Sequence, residues 1–157
     1  MKTIGIISTV YGSFGILMNL IGLIAISFQR IVIKAIPFSE LKDAPFDIKE
    51  FITSIHSVGF IFIPLAIIIG IMFLISGIKM INDKPDAVTL TRFSSIFDII
   101  WYISYIIVIY LTLVPVFSEL PPIGERVISM VIVLSGIIGT IFSCGYPVFL
   151  LIYLRKK

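Results

Sequence analysis

The sequence predicts an all-α membrane protein, with residues 1–157 forming one polytopic domain that is a bundle of four transmembrane helices. The mean hydropathy is +1.16, and hydrophobic residues make up 59% of the chain. Charged residues make up 13%, whereas soluble domains carry roughly 25%. Four stretches of low charge are each long enough to cross a hydrocarbon core of roughly 30 Å, which takes about 20 apolar residues.

The four stretches are expected to be helices, because backbone polar groups in lipid must find hydrogen-bond partners within their own segment. The apolar part of the first stretch is longer than the roughly 7–15 residues of a signal peptide, so we expect a retained anchor. The predicted spans are residues 3–28, 57–81, 93–117 and 127–154.

The loop at residues 29–56 is the largest predicted segment outside the spans. Asp47 followed three residues later by Glu50 is typical of a capping box at the start of a helix. Apolar residues then recur at helical spacing from Ile48 to Ile55. We expect a short amphipathic helix here, lying on the outer membrane interface. The alternative is that the second transmembrane helix begins early and projects outward.

The distribution of cations predicts the orientation. Placing both termini in the cytoplasm puts seven Lys and Arg residues inside and five outside, as the positive-inside rule favours. The C-terminal Arg155, Lys156 and Lys157 are the clearest inside signal. We therefore expect a multi-pass protein of a bacterial cell (inner) membrane with cytoplasmic N- and C-termini. The net charge is +3, and the basic residues are spread over loops and chain ends, so the charge does not indicate nucleic-acid binding.

Small residues form a seam along the first span, at alternating steps of three and four residues. In lipid, helices associate through close backbone approach and interhelical hydrogen bonds, both of which small residues permit. The seam either packs inside this bundle or docks on another protein. The predicted helix-packing residues are Gly5, Ser8, Gly12, Gly15, Asn19 and Gly22 in the first span and Gly136, Gly139 and Ser143 in the fourth.

The third span has a bulkier and more polar face, so we expect the third helix to pack on the small face of the first. This arrangement would place Asn19 and Tyr105 near the same depth, where one can hydrogen-bond the other. Asp98, Tyr102 and Tyr105 form a possible intramembrane polar site, since an ionisable residue in a membrane helix marks a candidate functional position. Three roles are open for Asp98. It is a structural or interfacial carboxylate that nearby serines or loop cations reach, it makes a polar contact with a partner, or it handles protons or ions.

The sequence indicates no catalytic, cofactor-binding or metal-binding residues. The lone His56 has no cluster of ligands at metal spacing, and the lone Cys144 cannot form an intrachain disulfide. We expect a non-enzymatic integral membrane protein that is a structural or accessory subunit of a larger membrane complex. Its expected partners are the lipid bilayer and other membrane subunits or further copies of itself, and not nucleic acid. The alternative is a small oligomeric transporter, a pore or a membrane-permeabilising effector.

Overall fold

The computed structural model describes residues 1–35, 46–117 and 120–155, and its regular elements are all helical within these ranges. Its four α-helices are each long and apolar enough to cross a membrane, which is consistent with the predicted four-helix bundle. A short 3₁₀ turn, Pro115–Phe117, follows the third helix. The helices are α1 (Lys2–Ala35), α2 (Ile48–Ile81), α3 (Ala87–Leu113) and α4 (Pro122–Leu154).

The first two helices extend further toward the first loop than the hydropathy predicted. α1 continues to Ala35, and α2 begins at Ile48 rather than near residue 57. The described residues therefore contain no separate amphipathic helix before α2. The residues expected to form it are the first turns of α2, as in the alternative interpretation. Residues 36–45 of the loop lie outside the described part of the chain.

The early start of α2 has a local cause in its capping residues. The Asp47 side chain accepts a hydrogen bond of 2.9 Å from the Glu50 amide, which satisfies one of the unpaired donors of the first turn. Phe46, just before the cap, packs on Phe51 with ring centroids 5.7 Å apart, as a hydrophobic staple does. Phe117 contacts both rings, at 5.0 and 5.5 Å, and so joins the start of α2 to the turn after α3.

α1 packs most extensively along α2, and the expectation that the third helix packs on the first is wrong. The reason is that α2 also presents glycines seven residues apart, so the two backbones can approach where glycine meets glycine. A Cβ atom on Gly12 would lie 2.5 Å from the Gly70 carbonyl oxygen, and one on Gly5 would lie 2.8 Å from that of Gly77. The remaining main pairings are α2 with α3 and α3 with α4.

All four helices converge at the end of the bundle that carries both termini, which we call the terminal end. Its buried apolar core joins all four helices and includes Ile4, Phe73, Met80, Ala87, Leu150 and Leu154. Toward the opposite end, a groove lies between α3 and α4, and its lining includes Tyr110 and Ile132. The bundle is therefore closed at the terminal end and more open at the other.

Polar contacts close the terminal end around this core. Lys79 donates a hydrogen bond to the Asp86 carboxylate in the turn between α2 and α3, and this bond lowers the pKa of Asp86 from its ordinary value. Arg92 donates to the carbonyl of Leu154 at the end of α4, where helix carbonyls have no partner within the helix. These cations link neighbouring helix ends at the edge of the apolar core.

Candidate functional site

Asp98 lies inside the bundle and accepts a hydrogen bond of 3.0 Å from the Tyr11 hydroxyl of α1. The nearby serines that were considered as its partners bond elsewhere. Ser94 and Ser95 both donate to carbonyls one turn back in their own helix, at 2.8 and 2.9 Å. The carboxylate is therefore held by an interhelical bond and not by a local one.

The two cations expected near Asp98, which lie at the end of α2 and near the start of α3, are also engaged elsewhere. Lys79 pairs with Asp86, and Arg92 donates to Leu154. Among the residues that the structure describes, no cationic side chain forms a salt bridge with Asp98. A carboxylate without a counter-cation in a membrane interior is costly, so its remaining surroundings decide its charge state.

The Tyr11 hydroxyl also lies 3.5 Å from the backbone carbonyl of Ser143 in α4. Pro147 follows four residues later, inside α4, and is fully buried. Proline has no N–H, so the Ser143 carbonyl lacks its usual partner in the helix. Tyr11 therefore lies between two acceptors, the Asp98 carboxylate and the orphaned Ser143 carbonyl.

A second hydroxyl pair lies beside this one. The Ser8 and Tyr146 hydroxyls are 2.7 Å apart, and Ser8 is fully buried. The Tyr146 ring packs on the Tyr11 ring with centroids 4.7 Å apart, and Phe73 of α2 packs edge-on against Tyr11 at 5.1 Å. We call Ser8, Tyr11, Asp98, Tyr146 and the Ser143 carbonyl the polar cluster.

The other residues of the predicted polar site lie outside the polar cluster. Tyr105 stacks on Trp101 with centroids 5.6 Å apart and the rings 3° from parallel. Asn19 donates a 2.7 Å bond to the Gly15 carbonyl of its own helix, so the expected bond with Tyr105 is not formed. Asn19 and Tyr105 do line a common cavity of about 250 Å³, which places them at similar depth. The Tyr102 hydroxyl lies over Gly139 of α4.

The seam residues divide according to what lies opposite them. Gly5 and Gly12 face the backbone of α2, as described above. A Cβ atom on Gly22 would make an ordinary 3.4 Å contact with Ile63, and one on Gly15 would meet nothing within 4 Å. In α4, a Cβ atom on Gly136 would lie 3.3 Å from Ile106. The close helix contact is therefore confined to part of the seam.

Three members of this arrangement were missed by the sequence reasoning: Tyr11, Tyr146 and Pro147. Pro147 could have been singled out from the sequence, since a proline inside a span frees the carbonyl four residues earlier, which then needs a donor from another helix. The two tyrosines could not, because tyrosine is common in membrane helices near the interfaces. Within the described ranges, no group of three or more His, Cys, Asp or Glu residues could hold a metal ion.

The four apolar helices are consistent with the class of multi-pass membrane proteins. The polar cluster adds an ionisable residue held between helices of such a bundle. Comparison with protein-family models, with curated proteins and with solved structures finds no match to the chain.

Proposed function

We propose that the chain is a non-enzymatic accessory subunit of a larger complex in a bacterial cell membrane, with its open α3–α4 face against a partner. The observation that carries this proposal is the groove between α3 and the first half of α4. Its volume is about 540 Å³, and its lining includes Tyr102, Tyr105 and Tyr110. Within the described residues, none of these three hydroxyls makes a hydrogen bond.

The unpaired hydroxyls distinguish this groove from an ordinary lipid-facing surface. Exposed apolar side chains such as Phe142 of α4, which is 80% exposed, are equally at home against lipid tails. A tyrosine hydroxyl is not, because hydrocarbon offers it no partner and desolvating it without one costs free energy. A helix of another subunit would supply polar side chains or closely approaching carbonyls at that depth.

A photo-crosslinking experiment tests the proposed face. We expect benzoylphenylalanine in place of Leu111 of α3, which lines the groove and is 65% exposed, to yield a discrete protein adduct in cells. The same substitution at Phe93 is the matched control, since Phe93 is also exposed, at 58%, but lies in the part of α3 nearest the terminal end. Lipid-only labelling at both positions, with no protein adduct at Leu111, would contradict the proposed interface.

We also propose that both termini are cytoplasmic. The support is the excess of Lys and Arg on that side, with seven residues against five. A fluorescent protein that folds only in the cytoplasm, fused after Lys157, should therefore be bright. A dark fusion together with a full-length product would reverse the orientation.

A second candidate function, a small oligomeric proton-coupled transporter, is favoured by one specific observation. Asp98 is a carboxylate inside the bundle whose described neighbours include no paired cation, and such residues mark ion and proton pathways in many transporters. This function requires proton flux in liposomes that Asp98→Asn abolishes, whereas an accessory subunit alone gives no flux.

A further inference from the structure

We propose that the polar cluster is a proton-binding site, in which Asp98 takes up a proton and the Tyr11 hydroxyl then reverses its hydrogen bonding. Before protonation, Tyr11 donates to the Asp98 carboxylate at 3.0 Å. A carboxylate offers only acceptors, so this is the direction that the bond must have. The Ser143 carbonyl then lies 3.5 Å from the same hydroxyl as a second, weaker acceptor.

Protonation changes the roles of these groups without leaving any of them unpaired. A hydronium ion gives a proton to an Asp98 oxygen and leaves as water, and the new O–H donates to the Tyr11 oxygen. The proton that Tyr11 already carries then turns toward the Ser143 carbonyl. The cluster gains one proton in total, Tyr11 remains a neutral phenol, and no bond other than the new O–H is formed.

Pro147 makes this second state possible. In an uninterrupted helix, the Ser143 carbonyl would accept the amide N–H of residue 147, but proline has none. The carbonyl is therefore available as a strong acceptor at the place where Tyr11 needs one once Asp98 becomes a donor. Proline, tyrosine and aspartate come from α4, α1 and α3, so the three helices must be assembled for the site to exist.

The other groups around Asp98 do not supply a compensating charge. α4 brings Cys144 and Tyr146 to this region, and neither a thiol nor a phenol is a cation in any protonation state. α2 packs Phe73 against Tyr11 and Tyr146, and among the described residues it brings no titratable side chain to the carboxyl. Arg92, on the same helix as Asp98, donates to Leu154 instead. A proton is thus the smallest cation that neutralises Asp98 without rearranging the bundle.

Infrared difference spectroscopy of the full-length chain in phosphatidylcholine nanodiscs tests both parts of the proposal. Spectra recorded at high and low pH should show the C=O stretch of a protonated carboxylic acid appearing as a carboxylate band is lost. In protein labelled at tyrosine with ¹³C, the phenol C–O band should shift in the same step, because that band responds to whether the hydroxyl donates or also accepts. Proton binding at Asp98 is independent of the accessory role, which this measurement does not address.

Near-isosteric variants assign the bands. Asp98→Asn should remove both signals, and Tyr11→Phe should remove the tyrosine shift while a carboxyl band remains. Tyr102→Phe is the matched control and should keep both, because Tyr102 lies outside the polar cluster. Pro147→Ala restores an amide donor for the Ser143 carbonyl and should reduce the tyrosine shift without removing the carboxyl band.

Each contrary outcome overturns a defined part. The absence of a carboxyl band that depends on Asp98, in a protein that elutes as the intact bundle, would exclude proton binding there. A carboxyl band without a tyrosine shift would exclude the reversal of the Tyr11 bond. A tyrosine shift of full size in Pro147→Ala would exclude the Ser143 carbonyl as its second acceptor.

Discussion

Replacing Gly12 with alanine is expected to lower the free energy of unfolding by about 1–3 kcal/mol, the usual cost of overpacking a closely packed contact. The added Cβ atom would lie 2.5 Å from the Gly70 carbonyl oxygen and 2.6 Å from the Leu74 amide nitrogen. Both are backbone atoms, so no side chain can rotate away and α1 must move off α2. Unfolding in mixed micelles of a mild detergent and dodecyl sulfate measures the change.

Gly15→Ala is the matched control on the same helix. Its Cβ atom would meet nothing within 4 Å, and alanine is favoured over glycine in a helix by up to about 1 kcal/mol. The stability should therefore stay the same or rise slightly. Equal destabilisation by both substitutions would contradict the close approach of α1 and α2 at Gly12.

Replacing Tyr11 with phenylalanine is expected to cost about 1–2 kcal/mol, the range found in model peptides for hydrogen bonds between membrane helices. The ring and its packing on Phe73 and Tyr146 are retained, so the loss falls on the hydroxyl alone. That hydroxyl serves two acceptors, Asp98 and the Ser143 carbonyl, and its removal leaves both without it. The same mixed-micelle unfolding measures the loss.

A double-mutant cycle isolates the contribution of Asp98. Asp98→Leu replaces the carboxylate with an apolar side chain that has the same branching, so Tyr11→Phe should cost less in that background than in the natural sequence. Coupling between contacting residues of this kind is on the order of 0.5–3 kcal/mol. Tyr110→Phe, three turns further along α3, serves as the control and should be additive with Asp98→Leu. Additivity of Tyr11→Phe as well would show that Tyr11 and Asp98 do not interact.

Hydropathy was sufficient to predict the number of helices and their approximate positions, because crossing a hydrocarbon core demands long apolar runs. It placed the last residue of α1 too early and the first residue of α2 too late. The start of α2 follows its capping residue Asp47 and not the boundary of the hydrophobic stretch. The capping pattern itself was visible in the sequence. The sequence left two interpretations open, a separate amphipathic helix or an early start of α2, and the structure has the second.

The packing partner of α1 was predicted wrongly for a different reason. A seam of glycines shows that some helix approaches closely, but it does not say which one. The partner is selected by glycines at matching depth, and the antiparallel pairs of Gly5 with Gly77 and Gly12 with Gly70 become visible only when α1 and α2 are aligned. A bulky face such as that of α3 keeps the two helix axes further apart.

The candidate site was predicted in part. Asp98 stood out because a carboxylate in a membrane span is rare and costly, and the structure places it in the polar cluster. Tyr102 and Tyr105 were grouped with it because they follow it at helical spacing on α3, yet they face the α3–α4 groove. The true partner, Tyr11, belongs to another helix, and single-sequence spacing carries no information about contacts between helices.

The native mass of the complex extracted from its own membrane in mild detergent tests the proposed function most directly. We expect an assembly of fixed stoichiometry that contains at least one other membrane protein. Its mass should therefore exceed what copies of this 17.5 kDa chain account for. Benzoylphenylalanine at Leu111, which lines the α3–α4 groove, should crosslink to that other membrane protein. A monomer or a homo-oligomer with no other subunit would contradict the accessory role and favour the transporter.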